Sequence, residues 1–408
     1  MKTVIILGDG MSDRPVAALG GRTPLQVARK PFMDRIAREG VTGLFASIPQ
    51  GMPEGSDVAN LSVLGYDPRV CLQGRGVLEA ASMGVDLGPE DVAMRCNLIC
   101  LDAEGRIKNH SAGHISSEEA AILIRDLDRE LGGGQGDRPA IFHPGVSYRH
   151  LLVLPGGWAS ADFECAPPHD HVGTLETELL PRANGAEAES TVARLLDLHE
   201  RAKAILATHP VNLARMAQGK DPANAIWVWS PGHRPQMETM ASLYGVKGAV
   251  ISAVDLIFGI GVYAGLTRIN VEGATGLYDT NYEGKAQAAL DALEDHDFVY
   301  VHVEATDEAS HGCDLDLKIR CIEYLDDRLI RPIMEGLEAK GVQATFAVLP
   351  DHPTPVETGT HASDPVPFAL WRPGMVADGS QSYDEVQAAQ GSLGLLERDQ
   401  FIRAALGL

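Results

Sequence analysis

Three short apolar runs, far apart in the chain, each end abruptly in polar residues. Lys2–Leu7 stops at GDG, Phe298–Val303 runs into EATD, and Ala344–Leu349 runs into PDH. Unbroken apolar runs of this length are typical of parallel strands that are buried on both faces. Helices must cover both faces of such a sheet, so the pattern predicts an α/β fold.

Helical patterns and a further strand lie between these runs. The spacing predicts helices over Pro31–Gly40 and Ser56–Leu64. It also predicts a long helix over about Leu315–Lys340, interrupted near Pro332. Phe368–Trp371 is predicted to be another core strand, which extends the alternation of strand and helix.

The middle of the chain differs in character, because turn signals such as Pro155-Gly156-Gly157 and Pro167-Pro168 recur there. The total length of 408 residues fits two domains. We therefore predict a discontinuous core formed by residues 1–92 and 246–408, with residues 93–245 inserted as a second domain.

The charge balance narrows the choice of partners. The chain has 34 lysines and arginines against 56 aspartates and glutamates, a net charge of −22. Nucleic-acid binding depends on neutralising phosphates with basic side chains, so we predict no nucleic-acid partner. A small phosphorylated substrate is compatible with this charge, because a metal ion can reverse the sign locally.

The apolar segments are too short or too interrupted for a membrane. The longest, Ala249–Thr267, contains Asp255 and several glycines, which makes it a poor membrane span. The N-terminal run is too short for a signal peptide, and the six cysteines form no CxxC pair. We expect a cytoplasmic protein with reduced thiols and no membrane partner; the sequence leaves the oligomeric state open.

Aspartates and histidines collect just after the predicted strands. Ligands of α/β sheets bind beyond the carboxyl ends of the strands, so these side chains should meet at one edge. Each residue alone has an ordinary explanation, as a helix cap or a hydrogen-bonded core residue. Together they predict a metal site, and mixed carboxylate and imidazole ligands suit zinc or manganese. The candidate ligands are Asp9, Asp307, His311, Asp351, His352 and His361.

Ser56, in the segment PEGSDVANLSVLG, has two interpretations. Serine is a favoured N-cap, so its role could be purely structural. Alternatively it is a nucleophile, because a divalent cation stabilises the alkoxide of a coordinated serine. A helix N-terminus would also direct backbone N–H groups at a phosphoryl group on that serine. The segment alone leaves both interpretations open.

Several segments together resemble a known group of enzymes. LGDGMSD, GSDVANLS, ATDEASH, PDHPTP and GTHASDP are similar to motifs of the alkaline phosphatase superfamily of two-metal enzymes. GGRTPLQVA, VLGYDP, RCNL and AVISAVDLI extend the likeness, over almost the whole chain, to the archaeal-type cofactor-independent phosphoglycerate mutases. The resemblance implies an alkaline-phosphatase-like core sheet with helices on both faces and an inserted α+β cap domain.

The resemblance also implies a site and a reaction. One metal would be held by Asp307, His311 and His361, and a second by Asp9, Asp351 and His352, with Ser56 as the phosphate-accepting ligand. The two divalent ions would be manganese or zinc, with magnesium as an alternative. The implied reaction interconverts 3-phosphoglycerate and 2-phosphoglycerate, a step of glycolysis and gluconeogenesis, through a phosphoserine.

The chain departs from the mutase pattern after RCN. Archaeal-type mutases usually carry a DRRAGR-like motif there, whereas this chain reads KNHSAGH at 108–114. Histidine does not reproduce the bidentate fork that arginine offers to phosphate and carboxylate. We expect the substrate to be bound by His110, Ser111, His114, His169, Asp170, Arg234 and Lys285, with Arg75, Arg95 and Lys108 as further candidates.

This departure leaves alternatives to the mutase. The altered segment looks like that of a bacterial subgroup proposed to act as a homoserine kinase, although the chain has no known nucleotide motif. A metal-dependent phosphatase would differ only in how water reaches the site. An inactive binding protein on this fold is a fourth interpretation, and the complete set of candidate ligands speaks against it.

Overall fold

The computed structural model describes residues 1–134 and 136–408, which divide into two compact units. The first, here called the core unit, consists of Met1–Leu72 and Gln236–Leu408. The second, the inserted unit, consists of Gln73–Pro235. The domain bounds expected from the sequence, with residues 93–245 inserted into a core of 1–92 and 246–408, stay a prediction.

The core unit is built on a sheet of eight strands among the described residues, in the spatial order β11-β10-β12-β1-β13-β14-β2-β15. Its strands are β1 (Lys2–Gly8), β2 (Val41–Phe45), β10 (Gly248–Ile251), β11 (Thr267–Ile269), β12 (Phe298–Val303), β13 (Ala344–Leu349), β14 (Val366–Trp371) and β15 (Leu395–Leu396).

Helices surround this sheet. They are α1 (Pro24–Val27), α2 (Pro31–Glu39), α3 (Ser56–Val63), α4 (Pro68–Cys71), α10 (Met240–Tyr244), α11 (Asp255–Tyr263), α12 (Tyr282–Asp295), α13 (Ala305–His311), α14 (Leu315–Tyr324), α15 (Arg331–Ala339), α16 (Glu385–Ala388) and α17 (Gln400–Leu406). A 3-10 turn at Ala17–Leu19 and a π-helical segment at Leu325–Ile330 complete the unit.

The centre of the sheet is formed by the three apolar runs of the sequence. β1 lies between β12 and β13 and is parallel to both, with Val4 opposite Val299 and Phe346. The residues of these strands are almost entirely buried, which explains their unbroken apolar character. The predicted α/β core is therefore confirmed, and the strand at Phe368–Trp371 forms part of β14, antiparallel to β13.

The predicted helices are also confirmed, with one difference in detail. The long helix expected to be interrupted near Pro332 instead runs from α14 through the π-helical segment into α15. Within that segment the buried carboxylate of Asp326 accepts the backbone N–H groups of Phe32 and Met33. The irregular turn thus provides a partner for the first N–H groups of α2.

The inserted unit is an α+β structure around an antiparallel sheet. Its strands are β3 (Val92–Leu101), β4 (Ile107–Asn109), β5 (Ile141–His143), β6 (Arg149–Leu154), β7 (Phe163–Glu164), β8 (Arg182–Ala183) and β9 (Ala225–His233). Its helices are α5 (Arg75–Ser82), α6 (Ser117–Leu131), α7 (Glu176–Leu179), α8 (Ala186–Ala207) and α9 (Pro210–Ala217), with a 3-10 turn at Pro168–His171. β3 is the middle strand and pairs with β4, β6 and β9.

The first helix after the boundary at residue 73 is α5. α5 belongs to the inserted unit because Arg75 N donates to Ser230 Oγ and Gly76 lies against the backbone of Met94.

The longest apolar segment, Ala249–Thr267, forms a strand, a helix and the start of another strand. Among the residues described, no helix combines the length and apolar character that crossing a membrane requires.

Candidate active site

The parallel arrangement of three strands brings the predicted metal ligands together. Asp9 directly follows β1, Asp307 lies on α13 just beyond β12, and Asp351 follows β13 by one residue. Because the three strands are neighbours and parallel, their carboxyl ends meet at one edge of the sheet. The close approach requires a glycine at Gly10, where a Cβ atom would lie 2.3 Å from Asp307 Oδ1.

The first group of ligands consists of Asp307, His311 and His361. His311 Nε2 lies 3.0 Å from Asp307 Oδ2 and 3.0 Å from His361 Nε2, and His361 Nε2 lies 3.6 Å from Asp307 Oδ1. His311 Nδ1 is 2.8 Å from the carbonyl of Gly359, and His361 Nδ1 is 2.9 Å from that of Glu54. A carbonyl only accepts, so both Nδ1 atoms carry a proton, and both Nε2 atoms face the same place, where a second proton or a metal ion can bind.

A cation fits that place. Two imidazole lone pairs 3.0 Å apart repel unless a proton or a metal ion lies between them. The hydrogen bond to Asp307 raises the pKa of His311 to about 9. When no metal ion is bound, a second proton on this imidazole supplies the positive charge. Carboxylate and imidazole donors together suit zinc or manganese.

The second group consists of Asp9, Asp351 and His352, which have no exposed surface. His352 Nε2 lies 3.5 Å from Asp9 Oδ1 and 3.5 Å from Asp351 Oδ2. Asp9 Oδ1 is buried without a hydrogen-bond partner among the residues described. Such an orphaned oxygen, beside a second carboxylate and an imidazole, fits a ligand set for a divalent cation.

The electrostatics of both groups demand positive charge. Burial and the neighbouring carboxylates of Asp351 and Glu304 raise the pKa of Asp9 well above its usual range. Burial and Asp307 raise the pKa of Glu304 to about 8. The acid groups therefore exceed the cations packed around them, and divalent ions would restore the balance.

Ser56 is placed to act with the second group. Its Oγ lies 3.1 Å from His352 Nε2, at the first residue of α3. The N-cap of that helix is Gly55, so the interpretation of Ser56 as a plain N-cap is wrong. Its hydroxyl turns toward the metal ligands instead of the backbone of its own helix.

Sequence reasoning missed a buried lysine that joins two of the site loops. Lys318 Nζ on α14 donates to the carbonyls of Ser12 and Thr354 and to Asp13 Oδ2, at 2.8–3.1 Å. Thr354 Oγ1 in turn donates to Asp307 Oδ1 at 2.6 Å. Lys318 therefore connects the loop after β1 with the loop after β13. A charged residue on an otherwise apolar helical face was the signal in the sequence.

His302 was missed as well. Its Nε2 lies 2.9 Å from Asp9 Oδ2 and its Nδ1 lies 3.1 Å from Ser252 Oγ, in the interior of the sheet. Burial lowers its pKa to about 3, so the imidazole is neutral and donates to Asp9. Lys285, expected to bind substrate, is fully buried and donates to the carbonyl of His302 at 2.9 Å. Burial lowers the pKa of Lys285 to about 8.

The inserted unit contains a polar pocket of about 360 Å³. Aromatic rings hold its basic groups: the guanidinium of Arg95 lies 4.4 Å from the Trp229 ring centre, and that of Arg149 lies 5.0 Å from the Tyr148 ring centre. Arg95 is also paired with Glu79, whereas Arg149 forms no ion pair among the residues described. The pocket is lined by Arg75, Arg95, Asn97, His110, Tyr148, Arg149, His169 and Trp229.

The pocket contains some of the predicted substrate-binding residues and not others. His110 and His169 line it, with ring centres 6.1 Å apart. The further candidates Arg75 and Arg95 also line it, whereas Lys108 is paired with Asp221. The five predicted residues of this unit outside the lining are Lys108, Ser111, His114, Asp170 and Arg234, and their role stays a prediction. Ser111 is buried and accepts the N–H of His114, Asp170 is exposed beside His169, and Arg234 is paired with Asp86.

Comparison with known proteins identifies the family. The family model described as 2,3-bisphosphoglycerate-independent phosphoglycerate mutase matches residues 37–212. The enzyme of that name from Methanosarcina acetivorans is 51% identical over 403 residues, 98% of each chain. The chain belongs to the 2,3-bisphosphoglycerate-independent phosphoglycerate mutases. A probable mutase of Geobacter sulfurreducens is 50% identical over 406 residues, again 98% of each chain.

Solved structures agree with this family. The cofactor-independent phosphoglycerate mutase of Thermoplasma acidophilum superposes with a TM-score of 0.69 at 27% identity over the full length of both chains. A protein of Pyrococcus horikoshii reaches a TM-score of 0.82 at 29% identity, covering 100% of this chain and 97% of its own. The fold and enzyme class that the motifs implied are confirmed. None of the relatives named here is called a homoserine kinase.

Replacing Lys318 in this mutase should be strongly destabilising. Lys318→Met leaves the buried Asp13 carboxylate without its partner, which costs about 3–5 kcal/mol of unfolding free energy. The double variant Lys318→Met/Asp13→Asn should recover a large part of the loss, because no uncompensated charge is left. Urea denaturation of the three proteins measures both effects, and a single variant as stable as wild type would contradict the prediction.

Proposed function

We propose that this mutase interconverts 3-phosphoglycerate and 2-phosphoglycerate through a phosphoserine at Ser56. The single observation that carries the proposal is the position of Ser56 Oγ, 3.1 Å from His352 Nε2 at the start of α3. Family membership supports the reaction, and the two ligand groups support the use of two divalent metal ions. The proposed ligands are Asp307, His311 and His361 for one ion, and Asp9, Asp351, His352 and Ser56 for the other.

The residues divide the work of phosphoryl transfer. When bound, the two ions would stabilise the serine alkoxide and neutralise the oxygens of the transferring phosphoryl group. Ser56 Oγ forms a bond to phosphorus as the bond from phosphorus to the 3-oxygen of the substrate breaks. The N-terminus of α3, where Ser56 lies, would favour the negative charge of a phosphoryl group on that serine. The glycerate then reorients, and its 2-hydroxyl takes the phosphoryl group from the serine.

The pocket of the inserted unit is proposed to hold the acid group of the substrate. Three arginines and two histidines line it, so basic side chains are gathered in one pocket of a strongly acidic chain. Arg149 and Arg95 are each held against an aromatic ring, so little side-chain freedom is lost when an anion binds. Guanidinium groups favour an anion such as phosphoglycerate over a zwitterion such as homoserine, because they would repel its ammonium group.

Metal stoichiometry tests the two ligand groups. We expect wild-type protein to bind two Mn²⁺ ions per chain in equilibrium dialysis, and Asp307→Ala to bind one, because Asp307 belongs to only one group. The exposed Asp327→Ala is the matched control and should still bind two ions. A wild-type stoichiometry below two, or an unchanged stoichiometry in Asp307→Ala, would overturn the assignment.

Removing the serine hydroxyl tests the intermediate. Ser56→Ala should abolish mutase turnover and the transfer of radiolabelled phosphate from 3-phosphoglycerate to the protein. The unfolding free energy should change by less than about 1 kcal/mol, because Ser56 is not the helix cap. Ser62→Ala, which removes a hydroxyl bonded within the same helix, should keep both activities. Labelled Ser56→Ala protein would rule out this nucleophile.

A single arginine tests the pocket. Arg149→Ala should raise the KM for 3-phosphoglycerate more than tenfold, since a charge-assisted hydrogen bond contributes about 1.5–3 kcal/mol. Arg129→Ala, an exposed arginine of α6, should leave KM within about twofold. An unchanged KM in Arg149→Ala, together with ATP-dependent phosphorylation of homoserine by the wild type, would refute both the pocket and the mutase.

A further inference from the structure

Asn60 occupies an unusual position one helical turn after Ser56. It lies on α3 with no exposed surface, although asparagine is a poor helix former. Its Nδ2 donates to the carbonyl of Ser56 at 2.8 Å and to Asp351 Oδ2 at 2.9 Å. Its Oδ1 accepts from the hydroxyl of Tyr300 at 2.5 Å. Both amide protons and the amide oxygen are therefore used in a place that water does not reach.

The carbonyl of Ser56 and the carboxylate of Asp351 decide which way this amide faces, and the hydroxyl of Tyr300 holds it there. In the reverse orientation, Asn60 Oδ1 would face a carbonyl and a carboxylate, which only accept hydrogen bonds. The observed orientation gives both of them a donor and leaves the amide oxygen for Tyr300, a fully buried residue of β12. The chain of bonds therefore runs from β12 through α3 to the loop after β13.

The other oxygen of Asp351 is fixed by the backbone. Its Oδ1 accepts the N–H groups of Gly10 and His352, at 3.2 and 2.8 Å. Its Oδ2 lies 3.5 Å from His352 Nε2, on the side of the second ligand group. Asn60 therefore bonds the oxygen that faces the proposed metal, and at the same time the backbone of the proposed nucleophile.

We propose that Asn60, held by the hydroxyl of Tyr300, is a positioning residue that fixes Ser56 and Asp351 relative to each other, so that the serine oxygen and the carboxylate can bind the same metal ion. The inference rests on the proposed phosphoserine mechanism. A helix that needed only packing here would carry an apolar side chain, because three buried hydrogen bonds must all be made for this amide to be tolerated. The bonds instead join the two groups whose relative position the chemistry requires.

Tyr300→Phe tests the inference with the smallest change, the loss of one hydroxyl. Tyr383→Phe is the matched control, because Tyr383 is also fully buried in the core unit and donates to the carbonyl of Pro367. Partners behind metal ligands typically affect metal affinity or activity by about 10–100-fold. We expect Tyr300→Phe to lose about tenfold in Mn²⁺ affinity and in kcat, with KM within about twofold. Tyr383→Phe should match the wild type in all three.

Non-additivity separates positioning from general destabilisation. If Tyr300 acts through Asn60, the double variant Asn60→Ala/Tyr300→Phe should bind Mn²⁺ no more weakly than Asn60→Ala alone. If Asn60→Ala does not fold, Tyr300→Phe and its control decide the question by themselves. Mn²⁺ affinity and kcat in Tyr300→Phe within twofold of Tyr383→Phe would overturn the proposal, as would fully additive losses.

The outcomes also separate this inference from the proposed function. Wild-type protein that binds no Mn²⁺, or forms no phosphoserine, would refute the proposed function. Wild-type protein that does both, with Tyr300→Phe indistinguishable from it, would refute only the positioning role. Mn²⁺ affinity is measured by titration of the purified protein, so this arm does not depend on mutase turnover.

Discussion

The site depends on an excess of buried negative charge at the ends of three parallel strands. Asp9, Glu304, Asp307 and Asp351 converge there because β12, β1 and β13 are adjacent and run in the same direction. Buried carboxylates are tolerated only when they are paired, hydrogen-bonded or bound to a cation. The surrounding structure supplies hydrogen bonds for most of their oxygens and leaves Asp9 Oδ1 and Glu304 Oε2 without one among the residues described. The proposed divalent ions would supply the missing positive charge.

Two buried lysines, Lys285 and Lys318, lie close to the acidic residues of the site. Lys318 is paired with Asp13, and its three bonds hold two loops together. Lys285 donates to the carbonyl of His302 and does not form an ion pair with Glu304. Both lysines thus donate to backbone carbonyls beside the acid cluster, and neither forms an ion pair with Asp9, Glu304, Asp307 or Asp351 among the residues described.

The sequence predicted those parts of the structure that local patterns encode. Unbroken apolar runs predicted the central strands, and the residues that follow them were confirmed to meet at one edge. Asn60, Tyr300, Lys318 and His302 each have a partner 240–306 residues away in the chain, which no local pattern specifies. The pocket of the inserted unit is a similar case, because its arginines and aromatic rings come from α5, β3, β9 and the start of β6, which lie far apart in the chain. The sequence could not decide whether Ser56 is the N-cap of α3. The structure shows that the N-cap is the preceding residue, Gly55.

The hydrogen bonds of His311, His352 and His361 place a proton on the same ring nitrogen, Nδ1, in all three. The single hydroxyl proton of Thr354 is donated to Asp307 Oδ1 at 2.6 Å, so toward His352 Nδ1, 3.2 Å away, its oxygen can only accept. His352 therefore carries its proton on Nδ1, as His311 and His361 do through their carbonyl partners. In all three rings this leaves Nε2 as the nitrogen that faces the site, so Nε2 is the atom that would bind a metal ion. The hydroxyl of Thr354 links the two candidate ligand groups, because it contacts Asp307 of the first and His352 of the second. The hydroxyl of Ser56 donates to the lone pair on His352 Nε2, which puts the serine oxygen beside the atom with which it would share a cation.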